Sequence, residues 1–113
     1  MASRGDVLVF RRRIGFESSA KLERFVVLQS NSFRQVLNTV FVAPLDEALD
    51  VYDNNPLAIR ISGKEAGTSD PQVVLPSYLT SAYLSRFEPK MAGRFSIKSL
   101  VAVDELLRSL LDL

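Results

Sequence analysis

The sequence predicts a mainly β fold of the α+β class: five or six short antiparallel strands forming a small barrel or half-open sheet, with one C-terminal helix packed on it. Three observations predict it. Short apolar runs rich in Val, Ile, Leu and Phe recur between Asp6 and Leu84, each bounded by charges or turn residues. Only the last segment keeps a helical period over several turns. No strand–helix alternation of the kind that builds a parallel sheet is present.

The first strand is read over Asp6 to Arg11, around Val7, Leu8, Val9 and Phe10. After Arg11-Arg12-Arg13 comes Ile14 to Ala20, with one Gly, two Ser and no period, which reads as a long loop. Phe25 to Leu28 is a continuous apolar run, the mark of a strand buried on both faces. Val36-Leu37 and Val40 to Ala43 form a third strand, expected to stop near Pro44 because proline donates nothing to a ladder. Leu57 to Ile61 follows the Asn54-Asn55-Pro56 turn as a fourth strand, and Gln72 to Leu75 is a fifth. Tyr78 to Leu84 fits a strand through its Thr and tyrosines and a short helix through Leu79, Ala82 and Tyr83; the strand is preferred. Ser96 is an N-cap for a helix whose stripe is Ile97, Leu100, Val103, Leu107 and Leu110.

The chain has 113 residues, 47% of them hydrophobic, which fits one domain over residues 1–113 with a core that needs no staples. It contains no Cys and no His. Disulfide frameworks, thiolate nucleophiles, His bases and imidazole or thiolate metal sites are therefore excluded, and any chemistry falls to Asp, Glu, Arg, Lys, Ser, Thr or Tyr. Uncharged stretches such as Gln35 to Leu45 are shorter than a membrane span, and Met1 to Phe10 has no signal-peptide core. A cytoplasmic protein with no membrane attachment is expected.

The net charge of +1 conceals an asymmetry. Residues 1–43 carry a net +4 and residues 44–70 a net −4. A basic block is either a solvated face or a footprint for phosphate. The acidic run Asp46, Glu47, Asp50 and Asp53 reads as a solvated loop, with carboxylate spacing of a kind that also holds Mg²⁺. Ser77, Tyr78 and Thr80 offer hydroxyls to nucleotides, and Tyr78 a ring on which a base stacks.

Taken in order, Arg4-Gly5-Asp6-Val7-Leu8-Val9, Gly15-Phe16-Glu17, Val27-Leu28-Gln29-Ser30-Asn31, Val40 to Leu45, Asn55 to Ile61, Val74 to Ser81 and Leu100 to Leu107 resemble the MazF/PemK and CcdB toxins over nearly the whole chain. The resemblance implies an SH3-like CcdB/MazF barrel, a homodimer, a cognate antitoxin, and a toxin that either cuts single-stranded RNA without metal or cofactor or, as in CcdB, traps DNA gyrase. MazF-like nucleases carry an Arg-Pro at the start of the second strand and a Thr or Ser after the third, both serving a phosphate that the substrate's own 2′-hydroxyl attacks. Two registers place that motif here: one sets Arg24 on the arginine, the other sets Glu23 there and Arg24 on the proline, and one residue of slip reverses the face. Asp46 stands where the pattern has its hydroxyl. Gyrase poisoning in CcdB uses a C-terminal Trp-Gly-Ile, and this chain has no Trp. The resemblance thus makes Arg24 the phosphate clamp, Glu17 or Asp46 the base, and Arg11, Arg12 and Arg13 contacts to the RNA backbone, with Ser77, Tyr78 and Thr80 as the further RNA contacts read from their own side chains.

Overall fold

A computed structural model describes residues 2–11, 23–33 and 38–113. Its elements are β1 (Asp6–Val9), β2 (Arg24–Val27), β3 (Thr39–Glu47), β4 (Ile59–Ile61), α1 (Gly63–Ala66), β5 (Gln72–Val74), β6 (Thr80–Tyr83), β7 (Gly93–Arg94) and α2 (Ile97–Leu111). All strand pairs are antiparallel, in the order β4-β5-β3-β2-β1-β7 with β6 also on β3. The sheet curls into a half-barrel closed by α2, as expected from the sequence.

The apolar runs are continuous because the middle of the sheet is covered on both sides. Val7, Val26, Ala43 and Leu45 face the core under α2, with Val103, Leu100 and Leu107 of the helix against them. Their strand neighbours Leu8, Val27 and Val42 face the other way onto Phe87. There Phe10, Phe25 and Phe87 pack with ring centroids 5.7–6.2 Å apart, a spacing at which edge-on aromatic contacts are favourable.

β3 does not stop at Pro44. It runs nine residues, through the proline, to Glu47. In an antiparallel strand one residue's N–H and C=O lie on the same edge, and the Pro44 carbonyl accepts from Leu75 N–H at 3.0 Å, on the edge away from β2. On that edge β6 pairs as far as Val42 and β5 takes over at Leu45. The missing donor therefore falls at the change of partner, where no ladder bond is lost. β4 is shorter than expected, starting at Ile59 after the left-handed Asn54 of the turn. The strand preferred for Tyr78 to Leu84 is present over Thr80–Tyr83, preceded by a single 3-10 turn at Pro76–Tyr78. Val36-Leu37, assigned to strand three, lies outside the described residues.

α2 begins at its expected cap: Ser96 Oγ accepts the N–H of Ser99 at 3.2 Å. Its stripe is narrower than the periodicity implied. Leu100, Val103 and Leu107 reach the core, whereas Ile97 is 82% exposed and Leu110 42%. Ile97 stands about 90° around the helix from the mean direction of those three, and Leu110 lies in the last turn. Arg4 ties the helix to the sheet, pairing with Asp104 and donating from Nη1 to the Leu28 carbonyl at 3.0 Å.

α1, unforeseen in the sequence, joins the two halves through one carboxylate. Ser62 caps it, accepting from Glu65 N–H at 3.2 Å, and the Ser62 hydroxyl donates to Glu65 Oε2 at 2.9 Å. The Ser-x-x-Glu spacing is that of a capping box, with the carboxylate taking the Ser62 hydroxyl. Glu65 Oε1 then accepts from Ser96 N–H and from the Ser99 hydroxyl, each at 2.7 Å, at the start of α2. Burial alone would raise this carboxyl, but the donors of Ser96, Ser99 and Ser62 outweigh it and hold the pKa at about 2. Because the folded value lies below the unfolded one, the stabilisation is present above pH 4.5 and lost as pH falls towards 2. Glu65→Gln is expected to cost about 1–2 kcal/mol at neutral pH and to flatten the acid limb of the stability profile. Identical melting curves for both proteins from pH 7 to pH 3 would refute this role.

Candidate functional site

Arg24 opens β2 and pairs with Val9 on one side and Leu45 on the other. Paired residues share a face, so its side chain lies on the side of Leu45 and Val26. Its Nε is buried with no hydrogen-bond partner among the described residues. The guanidinium borders two crevices. One, of about 520 Å³, is lined by Arg24, Gly63, Lys64, Gly67, Thr68 and Ser69. The other, of about 400 Å³, adds Arg60 and the carboxylates of Glu47 and Asp70 to its walls.

Asp46 is on the opposite face, one pleat step from Leu45. Its carboxylate is held locally: Oδ2 accepts from the Tyr52 hydroxyl at 2.7 Å and Oδ1 from Glu47 N–H at 2.8 Å. The bond to Asp46, with desolvation behind it, raises the Tyr52 phenol above its usual pKa. Beside it a cleft of about 360 Å³ is lined by Tyr52, Asn55, Leu57, Ser77 and Tyr78, over Pro44 and Leu75. Tyr78 is 66% exposed there. Thr80, at the start of β6, is exposed and pairs with Val42.

The structure thus brings Asp46, Ser77 and Tyr78 to one side of the sheet and leaves Arg24 on the other. Extending the β2–β3 register one step sets Glu23, not Arg24, opposite Asp46. A phosphate gripped by an arginine and a hydroxyl needs both on one face. On the Arg24 face the hydroxyls are those of Thr68 and Ser69. Nothing local in the sequence marks them: Gly67-Thr68-Ser69-Asp70 reads as an ordinary turn, and only the crevice it shares with Arg24 distinguishes it.

Arg11 lies elsewhere. Its Nε donates to the Phe87 carbonyl at 2.9 Å, and it lines a third cavity, of about 400 Å³, with Asp6, Glu88 and Met91. Arg12, Arg13 and Glu17 lie outside the described residues. Among the described residues no three Asp or Glu side chains converge as a metal site, and no helix is long and apolar enough to cross a membrane.

A curled antiparallel sheet closed by a C-terminal helix, with a cationic crevice at the start of β2, places the chain in the MazF-type fold class. It is similar to the Mycobacterium tuberculosis toxin MazF-mt6, with a TM-score of 0.73 and 16% identity over 96% of this chain and 97% of that one. It is similar also to MazF in the MazE–MazF structure from Deinococcus radiodurans, with a TM-score of 0.73 and 18% identity over 100% and 97% of the two chains. An endoribonuclease in complex with its cognate antitoxin, from a mycobacterial species, matches with a TM-score of 0.72 and 12% identity over 100% and 97%. No curated protein sequence matches. The profile of PemK-like, MazF-like toxins of type II toxin-antitoxin systems matches residues 3–111, and the chain belongs to that family. These matches do not support the CcdB-like, gyrase-trapping alternative.

Proposed function

We propose that this toxin cuts single-stranded RNA without a metal ion or cofactor, acting in the cytoplasm and neutralised by a cognate antitoxin. The carrying observation is Arg24, which lines a crevice together with Lys64, Thr68 and Ser69. A permanently charged, two-pronged donor beside a second cation and two hydroxyls is suited to a phosphodiester. In the reaction the substrate's 2′-oxygen forms a bond to the adjacent phosphorus as the bond to the 5′-oxygen breaks. A base takes the 2′-proton and the departing 5′-oxygen gains one, leaving a 2′,3′-cyclic phosphate and a 5′-hydroxyl. Arg24 holds the phosphate charge. Glu17 is the candidate base, because Asp46 is turned to the other face. Arg11, Arg12 and Arg13 add backbone contacts, and Tyr78, Ser77 and Thr80 offer a surface for bases. Phe41 and Tyr83, 52% and 58% exposed on the β3–β6 ladder, supply an apolar face for the expected homodimer.

Purified protein incubated with a long single-stranded RNA, with and without EDTA, is expected to cut it equally in both and to leave 2′,3′-cyclic phosphate ends. Intact RNA at high protein concentration would overturn the nuclease reading. A second reading then takes over, favoured by the Asp46–Tyr52 bond at the position of the family hydroxyl: a member that only binds a partner.

A further inference from the structure

We propose that the turn after α1 is the second wall of a phosphate-binding cradle, in which Lys64 and the Ser69 hydroxyl grip the same RNA phosphate as Arg24. The proposal rests on the RNA reading above. Among the described residues the crevice of about 520 Å³ is lined by two cations and two hydroxyl residues, with no carboxylate in its wall. Its neighbour, which shares Arg24, Thr68 and Ser69, adds Arg60 and the carboxylates of Glu47 and Asp70, so its charges compensate, whereas the described residues of this crevice carry positive charge alone.

The turn is held in place for this purpose. A Cβ on Gly63 would lie 2.6 Å from the Thr68 carbonyl oxygen and 3.1 Å from that of Ser69, so the backbone after α1 folds tightly back over the start of the helix. The Thr68 hydroxyl donates to the Asp70 carbonyl at 2.7 Å, which ties the loop to itself. Of the two hydroxyls, Ser69 is the one placed to donate: it is exposed, and the structure gives its side chain no bond within the loop. Lys64 is exposed on the same wall. A tight turn carrying hydroxyls, an exposed ammonium and a guanidinium lining one crevice suit a tetrahedral phosphate diester better than a planar carboxylate.

The test uses a fluorescein-labelled, single-stranded 2′-O-methyl oligoribonucleotide, which has no free 2′-hydroxyl and stays intact during titration. Affinity is measured at several salt concentrations. Lys64→Ala is expected to weaken binding roughly two- to fivefold at low salt and to flatten the slope of log affinity against log salt by about 0.7, one phosphate contact on a single strand. Lys64→Arg should restore the slope. Ser69→Ala is expected to weaken binding roughly two- to tenfold with the slope unchanged, since its donor is neutral. If Lys64→Ala keeps the wild-type slope and affinity while Arg24→Ala flattens it, the cradle is wrong and the clamp stands. If the wild-type protein does not bind the oligonucleotide at low salt, the RNA reading itself fails, and the cradle with it.

Discussion

Gly67→Ala is expected to destabilise this protein by at least ~3 kcal/mol, lowering the melting temperature by roughly 15 °C. Gly67 ends α1 with φ +75°, in the left-handed region, and its N–H closes the helix onto the Gly63 carbonyl. The conformation alone costs an L-residue about 1–2 kcal/mol. The larger part is steric. A Cβ there would sit 2.1 Å from the Ala92 carbonyl oxygen and 2.6 Å from its carbon. Those are backbone atoms, with no rotamer by which to move away. Relief requires Ala92 to shift, and its N–H is bonded to the Val7 carbonyl at 2.8 Å, next to the β1–β7 pairing. The substitution therefore strains α1 and the closing edge of the sheet together. Thermal unfolding followed by circular dichroism checks it, and a drop of less than about 4 °C would mean that the two segments separate easily.

Arg24→Ala is expected to lower RNA cleavage about 10²- to 10³-fold, the usual cost of removing one preorganised donor from a developing oxyanion. The fold should survive, because Nε has no partner among the described residues to leave behind. Arg24→Lys should recover part of the rate, since an ammonium supplies the charge but not the two-pronged donor geometry. A melting curve run in parallel separates lost chemistry from lost structure. Unchanged cleavage in Arg24→Ala would show that the phosphate is held elsewhere.

Much of the fold was legible in the residues. The runs at Val7, Val26 and Val42, the Asn54 turn and the Ser96 cap each rest on a local rule, and each has its element, with strand ends displaced by a few residues. The errors arose where a tertiary partner decides. Pro44 stays inside a strand because its vacant edge coincides with the junction of β5 and β6, a fact of sheet order rather than of sequence. Ile97 fits the helical period yet meets no core. α1 and β7 are four and two residues long, too short to show any period. The site was less legible than the fold. Arg24 stands out by charge, but whether it shares a face with Asp46 depends on a single-residue register, and the sequence left both settings open. The Gly67 to Asp70 turn has no signal of its own and acquires meaning only beside Arg24.

The pairing of β1 with β7, Asp6 opposite Arg94, and the reach of Arg4 to Asp104 bear on the timing of synthesis. The first strand is made early but cannot complete its edge until β7 has been made, nor Arg4 find Asp104 until α2 follows. At roughly 5–20 residues per second that interval is about 5–20 s. Throughout it the nascent chain has its first strands and no closed sheet. Chains that stop before β7 and α2 are therefore expected to lack the closed sheet, and with it the tertiary contacts that position Arg24.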